Sequence, residues 1–220
     1  MNAADRLNKI KADIPSNVRI VAVSKNKPAS MIEDLFLKTG HLSFGENKAL
    51  ELEEKQKVLP ADINWHFIGH LQTNKIKYIS PFVWMIQSVD SFRLLQEINK
   101  AGLKCDRIIP CLLQFHIARE ESKYGFSLEE AIKMLDDNLF QNLSNISLSG
   151  VMGMATFTED EYQIRTEFKN LFSHFNLLKY RYFSQNPDFC EISMGMTADY
   201  KLAIEEGSTI IRIGSGIFGD

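Results

Sequence analysis

Short apolar runs alternate with amphipathic segments along the whole chain. The runs are rich in small and β-branched residues, which is typical of strands buried in a parallel sheet. The pattern predicts eight strands, at residues 20–24, 41–47, 64–70, 82–90, 107–115, 146–152, 189–193 and 209–213. Helices are predicted between most of the strands: residues 29–38, a helix that ends at about residue 58, residues 72–78, residues 91–100, a helix that begins at about residue 127, residues 160–183 and residues 197–206. An additional helix is predicted at residues 3–13.

Strands that alternate with helices predict a parallel sheet, and eight of them predict a closed (β/α)8 barrel of the TIM type. A doubly wound open sheet is the alternative, because periodicity does not show closure. No linker or change of composition divides the chain, so residues 1–220 are expected to form a single domain. No helix is expected after the eighth strand, and the extra N-terminal helix is expected to cover that gap.

Composition and charge narrow the class of protein. The 220 residues are 45% hydrophobic and 24% charged, with a net charge of −3, as in ordinary globular proteins that do not bind nucleic acid or anionic membranes. No apolar run approaches the ~20 residues of a membrane span, and the start of the chain lacks the apolar core of a signal peptide. Cys105, Cys111 and Cys190 are widely spaced and indicate free thiols. We therefore expect a cytoplasmic protein.

The first strand leads directly to Lys25. If Val21 and Val23 face the barrel interior, the two-residue period of a strand places Lys25 on the same side, at the end where barrels carry their chemistry. The ordinary interpretation is a solvent-reaching lysine in a loop. The sharper one is a lysine that forms a Schiff base, which requires a lowered pKa of its amine. Partial burial beside a second cation, for which Lys27 is the candidate, would lower that pKa.

Glycines and serines end the last two strands, at residues 193–196 and 214–216. Barrels commonly bind phosphate between these two loops. A lysine nucleophile beside a phosphate site predicts a phosphorylated carbonyl compound, either pyridoxal phosphate or the substrate of a sugar-phosphate aldolase. Arg212 distinguishes the two: facing inward, it would donate permanently to a pyridine nitrogen and keep that nitrogen unprotonated. Its alternative partner is a surface carboxylate.

Three further polar residues, Asn47, His66 and His70, end the second and third strands. A lone histidine in an apolar strand is usually a hydrogen-bonded core residue, which is our interpretation of His66. No His, Cys or carboxylate spacing indicates a metal site. The loop around Lys123 and Tyr124 is either a lid over the barrel mouth or an ordinary exposed loop.

Seven stretches of this sequence resemble the pyridoxal phosphate homeostasis protein family, in the family's order across nearly the whole chain. They are residues 22–28, 44–47, 65–75, 88–91, 121–125, 193–199 and 212–219. The most specific are Trp65-His66-Phe67-Ile68-Gly69-His70 and Ser193-Met194-Gly195-Met196. Asn26 and Ser215 stand where many members have threonine, which keeps a hydrogen-bonding side chain at both positions.

The resemblance implies a barrel like the N-terminal domain of alanine racemase, with pyridoxal 5'-phosphate as its cofactor. The family's cofactor contacts fall on eight residues: Lys25 for the covalent internal aldimine, Arg212 for the pyridine nitrogen, Ser193, Gly214 and Ser215 for the phosphate, Asn47 and Met194 near the ring, and His66 as a further neighbour.

The resemblance further implies a carrier that buffers and delivers the cofactor inside the cell, with effects on amino-acid and keto-acid balance and no established catalytic turnover. Pyridoxal phosphate-dependent apoenzymes would be the recipients. Two enzyme classes stay open. An amino-acid racemase or decarboxylase needs a second proton-transfer group, for which Tyr124 is the candidate, whereas alanine racemase draws its second base from a separate domain that we do not expect in a chain ending at Asp220. A Schiff-base aldolase needs Lys25 and the phosphate site but not Arg212.

Overall fold

The computed structural model describes residues 1–119 and 124–219, and in them eight β-strands alternate with α-helices. The strands are β1 (Arg19–Val23), β2 (Ser43–Glu46), β3 (Asn64–Phe67), β4 (Met85–Val89), β5 (Ile109–Phe115), β6 (Ile146–Gly153), β7 (Glu191–Ser193) and β8 (Ile210–Ile213). The helices are α1 (Ala3–Asp13), α2 (Ala29–Thr39), α3 (Ala49–Val58), α4 (Ile76–Ile79), α5 (Phe92–Lys104), α6 (Leu128–Asp136), α7 (Asn138–Gln141), α8 (Glu161–Tyr182), α9 (Tyr200–Glu205) and α10 (Ser215–Phe218), with a 3-10 turn at Thr73–Lys75. Residues 120–123 of the predicted loop, Lys123 among them, and Asp220 lie outside the described residues.

The eight strands close into a parallel barrel, as predicted. Each strand pairs with the next one along the chain, and β8 pairs with β1, with Ile210 opposite Arg19 and Arg212 opposite Val21. This last pairing excludes the open doubly wound sheet, because such a sheet has two free edges. All strands are parallel, so their carboxyl ends meet at one end of the barrel.

Alternate side chains of β1 separate two cores. Ile20 and Ala22 face outward and join the large core between the barrel and its helices. Val21 faces inward, where it packs with Met85, Leu112, Met152 and Ile210. The interior also holds polar groups: Gln87 of β4 and Ser193 of β7 are hydrogen-bonded although their strands are not neighbours. Such side chains meet only across the inside of the barrel, so its centre is partly polar.

The N-terminal helix covers the barrel beside β8, but it does so together with a second helix. α1 begins with a capping box between Asn2 and Asp5 and buries Ala4, Leu7 and Ile10. It packs against α2 and α10. The expectation that no helix follows the eighth strand is therefore wrong. α10 has only four residues next to Gly214 and Gly216, too short a segment to show a helical period in the sequence.

Serine caps begin two helices where the sequence predicts them. Ser91 Oγ accepts a hydrogen bond from the Leu94 N–H, and Ser127 Oγ accepts one from the Glu130 N–H. α5 then extends four residues past its predicted end, and α7 was not predicted. Across the parts of the chain that the structure describes, no helix combines the length and apolar character needed to cross a membrane.

Candidate functional site

A cavity of about 640 Å³ opens at the carboxyl ends of the strands. Seven of the eight strands or the loops that follow them contribute to it, which places residues distant in sequence around one space. Five predicted site residues line it: Lys25, Asn47, Arg212, Gly214 and Ser215. The other three, His66, Ser193 and Met194, do not. Residues that sequence reasoning did not assign also line it, among them Gln114, Thr156, Met196, Thr197 and Asp199.

Lys25 lies at the mouth of this cavity. Val23 and Lys25 both line it, as the strand period predicts. The Lys25 side chain is exposed, however, whereas the Schiff-base interpretation expects partial burial. Lys27 Nζ donates to the Gly219 carbonyl at 2.8 Å, and Lys27 is not among the residues that line the cavity. Lys25 itself has no hydrogen bond or ion pair with any residue in the described ranges, so its amine is available to a ligand.

Arg212 forms the floor of the cavity. It is 3% exposed, and burial lowers the pKa of its guanidinium to about 10, against the opposing field of Asp199. The group therefore stays charged at neutral pH. One nitrogen donates to Ser193 Oγ at 2.6 Å and another to the Gly153 carbonyl at 2.9 Å. A guanidinium carries five N–H donors, so donors remain for a ligand in the cavity.

A hydrogen-bonded chain crosses the barrel below Arg212. Because Arg212 only donates hydrogen bonds, Ser193 Oγ accepts one from it. The Ser193 hydroxyl in turn donates a hydrogen bond to Gln87 Oε1, 2.7 Å away. The Gln87 amide nitrogen then donates to His66 Nδ1 at 3.0 Å, which places the imidazole proton on Nε2. Gln87 was not predicted, because its partners come from strands far apart in sequence.

His66 is the far end of this chain and is fully buried. Burial, followed by the charges of Arg19 and His41, lowers the pKa of His66 to about 3, so the ring is neutral. This agrees with the interpretation of His66 as a hydrogen-bonded core residue. It does not favour direct contact with a ligand, because His66 lies beneath the cavity and reaches Arg212 only through Gln87 and Ser193.

Ser193 and Met194 are also placed differently from what the resemblance implies. The Ser193 hydroxyl is fully buried and engaged by Arg212 and Gln87, so this geometry gives no support to its predicted contact with phosphate. Met194 is fully buried in the outer core between barrel and helices. Ser193 faces inward, so the next side chain faces outward. Met196, two residues later, lines the cavity instead.

Asn47 and the end of β3 form one wall of the cavity. The Asn47 Oδ1 atom is buried and has no hydrogen-bond partner among the described residues. Gly69 packs directly on Asn47: a Cβ at Gly69 would lie 2.4 Å from the Asn47 carbonyl oxygen and 2.7 Å from its Cα. Only glycine fits this approach, which explains the Gly in the Ile68-Gly69-His70 run.

A histidine–aspartate pair stands at the rim. His70 Nδ1 lies 2.9 Å from Asp90 Oδ2, and the His70 ring stacks on Tyr124 with centroids 4.1 Å apart and an interplanar angle of 19°. The Tyr124 carbonyl accepts a hydrogen bond from the Gln114 amide at 2.8 Å. Tyr124 therefore lies against the cavity wall rather than free of the barrel.

The loops after β7 and β8 are joined to each other. The Gly216 N–H donates to Thr197 Oγ1 at 3.3 Å, and Asp199 Oδ1 accepts from the Met196 N–H at 2.5 Å. Burial raises the pKa of the Asp199 carboxyl, and the charge of Arg212 and the Met196 N–H oppose that rise. Hydroxyls of Thr197 and Ser215 thus line the cavity above the Arg212 cation. This side of the cavity is suited to an anion, and Lys25 supplies a primary amine.

Within residues 1–119 and 124–219, no three His, Cys, Asp or Glu side chains come close enough to hold a metal ion. The polar groups of the cavity are an amine, a guanidinium, hydroxyls, amides, the His70 imidazole and the Asp199 carboxyl, which already accepts from the Met196 N–H. Such a set suits an organic anion that carries an electrophilic carbon.

Comparison with known proteins identifies the family. A family model described as the alanine racemase N-terminal domain matches residues 2–220. The chain is 32% identical to the pyridoxal phosphate homeostasis protein of Aquifex aeolicus, over 100% of this chain and 99% of that protein. It is 35% identical to the protein of that name from Homo sapiens, over 94% of this chain and 78% of that one. The chain belongs to the pyridoxal phosphate homeostasis protein family.

Solved structures share the barrel of this chain. PipY of Synechococcus elongatus PCC7942, solved with PLP bound, is 30% identical with a TM-score of 0.87, over 99% of this chain and 100% of that one. Alanine racemase of Clostridium difficile 630 is 15% identical with a TM-score of 0.75, and this chain spans 56% of it. At that identity the likeness shows the fold alone. The resemblance stated from the sequence is therefore confirmed.

Proposed function

We propose that this protein binds pyridoxal 5'-phosphate and serves in its intracellular homeostasis as a cytoplasmic carrier that buffers and delivers it. One observation carries the proposal: the Lys25 amine, which has no partner in residues 1–119 and 124–219, shares a single cavity with the buried Arg212 cation and the hydroxyl of Ser215. The names of the relatives and the ligand of PipY support it. Effects on amino-acid and keto-acid balance would follow indirectly, through the supply of cofactor.

The residues present fit this cofactor. When bound, pyridoxal phosphate supplies an aldehyde that reacts with primary amines and a ring that withdraws electrons. Lys25 is proposed to bond covalently to the aldehyde carbon through Nζ. Gly214 and Ser215 are proposed to hold the phosphate, with Arg212 at the pyridine nitrogen. Asn47, whose buried Oδ1 has no partner in the described part of the chain, would lie beside the ring.

Arg212 favours a carrier over an enzyme. Its guanidinium remains protonated with a pKa of about 10, and it only donates hydrogen bonds. A pyridine nitrogen that faced Arg212 would accept a hydrogen bond and stay unprotonated, which would weaken electron withdrawal by the ring. Proton abstraction next to an amino group depends on that withdrawal, so demanding carbanion chemistry is disfavoured at this site.

Covalent trapping tests the proposal. Purified protein is incubated with pyridoxal phosphate, reduced with borohydride and digested, and the pyridoxyl label is located by mass spectrometry. We expect the label on Lys25 in the wild type and in Lys27→Ala, a matched variant two residues away, and its loss in Lys25→Ala. A label distributed over several lysines, or a protein that does not respond to pyridoxal phosphate, would refute the proposal and favour an aldolase.

The carrier role requires a second measurement. Loaded protein is mixed with an apoenzyme that depends on pyridoxal phosphate, and recovery of that enzyme's activity is compared with release into buffer alone. We expect the apoenzyme to be activated at least as fast as the cofactor is released.

The alternative enzyme is an amino-acid racemase, favoured by the position of Tyr124 on the cavity wall. Incubation with L-alanine distinguishes the two functions. Loss of optical activity that disappears in Tyr124→Phe would establish the racemase, and constant optical rotation is expected for the carrier.

A further inference from the structure

The loop that carries Lys25 rests on a buried group of charges from β2 and α3. Lys55 Nζ lies 2.6 Å from Glu46 Oε1 and 2.7 Å from Glu51 Oε1. The side chains of Lys55 and Glu46 are 8% and 0% exposed, and that of Glu51 is 22% exposed. We call Glu46, Glu51 and Lys55 the Lys55 cluster. None of the three lines the cavity.

The Lys55 cluster holds the residues on both sides of Lys25. Before it, Ser24 Oγ donates to Glu46 Oε1 at 2.7 Å and the Ser24 carbonyl accepts from Lys55 Nζ at 2.8 Å. After it, the Asn26 N–H donates to Glu51 Oε1 at 2.7 Å. The backbone of Lys25 is thus held at its two neighbours, while its side chain has no partner among the residues that the structure describes.

Asn26 adopts a backbone that needs such support. Its φ is +60°, a left-handed conformation that is uncommon for residues other than glycine, although Asn tolerates it better than most. The hydrogen bond from Asn26 N to Glu51, and a second one from Lys48 Nζ to Asn26 Oδ1 at 3.2 Å, hold this turn. The turn directs the chain into α2 immediately after Lys25.

Stability alone is a poor explanation of the Lys55 cluster. Buried ion pairs lose hydration, and replacing them with apolar side chains is often neutral or stabilising. Glu46 Oε2 is buried without a partner among the described residues, and burial raises the pKa of the Glu46 carboxyl. What these contacts supply is a defined position of the backbone at residues 24–26.

We propose that Glu46, Glu51 and Lys55 are positioning residues that hold the Lys25 backbone where its amine attacks the aldehyde of the cofactor. The proposal rests on the proposed function. In that step the Nζ lone pair attacks the aldehyde carbon, a carbon–nitrogen double bond replaces the carbon–oxygen double bond, and the oxygen leaves as water with both amine hydrogens. Attack requires close approach and alignment of the reacting atoms, and a misplacement of about 1 Å lowers such rates about 100-fold.

The test separates covalent capture from simple binding. Lys55→Met and Glu51→Ala are compared with Lys57→Met and Glu54→Ala, matched changes at an exposed pair on the same helix. Two quantities are measured for each protein: the rate of bond formation with pyridoxal phosphate, followed by absorbance, and the Kd for pyridoxine 5'-phosphate, which carries an alcohol in place of the aldehyde. Circular dichroism checks that each variant is folded.

We expect the rate of bond formation to fall about 10- to 100-fold in Lys55→Met and about 10-fold in Glu51→Ala. The Kd for pyridoxine 5'-phosphate should stay within about twofold of wild type in all variants, and the two control variants should retain the wild-type rate. Glu51→Ala changes the least buried member and keeps the Lys55–Glu46 pair, so it answers the question even if Lys55→Met does not fold.

Two results would overturn the assignment. Unchanged rates in folded Glu51→Ala and Lys55→Met would show that the Lys55 cluster does not position Lys25. A parallel loss of pyridoxine 5'-phosphate binding would show that the cluster only maintains the cavity. If the wild-type protein binds pyridoxine 5'-phosphate but never bonds to pyridoxal phosphate, the proposed function itself fails, which is a different result from either of these.

Discussion

Two buried histidines make the folded protein sensitive to mild acid. Burial, with the charges of Arg19 and His41, lowers the pKa of His66 to about 3. Burial, with the charge of Lys11, lowers the pKa of His41 to about 4. Both imidazoles titrate at about 6.5 in an unfolded chain. At pH values between the folded-state and unfolded-state pKa values of these histidines, the unfolded chain binds more protons than the folded one. The free energy of unfolding therefore falls as pH falls.

The size of the effect follows from these values. The contribution is complete above about pH 6.5 and is lost progressively down to about pH 3 to 4. At pH 5, protonation of each of the two imidazoles stabilises the unfolded chain by about 2 kcal/mol, while both imidazoles remain neutral in the folded protein. His41 and His66 together therefore cost the folded state about 4 kcal/mol between about pH 8 and pH 5. That is a large fraction of the stability of a typical domain.

Urea unfolding at about pH 8 and pH 5 measures this loss directly. Carboxylates also contribute to acid sensitivity. The informative quantity is therefore how much a mutation changes the difference in the free energy of unfolding between about pH 8 and pH 5. His66→Asn and His41→Asn should each reduce the wild-type difference by about 2 kcal/mol, and the double variant by about 4 kcal/mol. A loss of stability that is equal at both pH values does not affect this comparison. If His66→Asn showed the full wild-type difference in unfolding free energy between the two pH values, the conclusion that His66 is buried and neutral would be refuted.

Three substitutions test contacts inside the barrel and in the core around it. Ser193→Ala leaves Arg212 and Gln87 without their shared partner and should lower the free energy of unfolding by about 1–3 kcal/mol in urea; no change would contradict the hydrogen-bonded chain. Gly150→Ala should cost more than about 4 kcal/mol or prevent soluble expression, because its Cβ would lie 1.8 Å from the Glu191 carbonyl oxygen at a φ of +150°. A Gly150→Ala protein with the thermal stability of the wild type would disprove the close approach of β6 and β7 at Gly150. Phe189→Ala removes a fully buried ring stacked 4.2 Å from Phe183 and should cost about 3–5 kcal/mol by calorimetry, whereas a loss below about 1 kcal/mol would show that the site repacks.

The local pattern of the chain predicted the parts of the fold that depend on neighbours in sequence. Alternation placed Val21 and Val23 on the side of Lys25, and the helix starts predicted at residue 91 and at about residue 127 are the N-cap positions of α5 and α6. These features depend on the two-residue period of a strand and on unpaired N–H groups at a helix start, which act over a few residues. Five of the eight residues predicted to contact the cofactor accordingly line one cavity.

Of the remaining three, His66 and Ser193 lie below the cavity because of the depth of their strands in the barrel, which only the tertiary structure decides. Met194 faces outward because it follows the inward-facing Ser193. The sequence by itself determined eight strands, their order and a lysine, an arginine and glycine–serine turns at their carboxyl ends. It did not determine that β8 pairs with β1, that Ser193 lies below Arg212, or that Gln87 links Ser193 to His66. The pairing of β8 with β1 and the contact of Gln87 with Ser193 join strands far apart along the chain. The depth at which each side chain lies follows from the stagger of strands around a closed barrel. That stagger is a property of all eight strands together, so no local pattern reveals it.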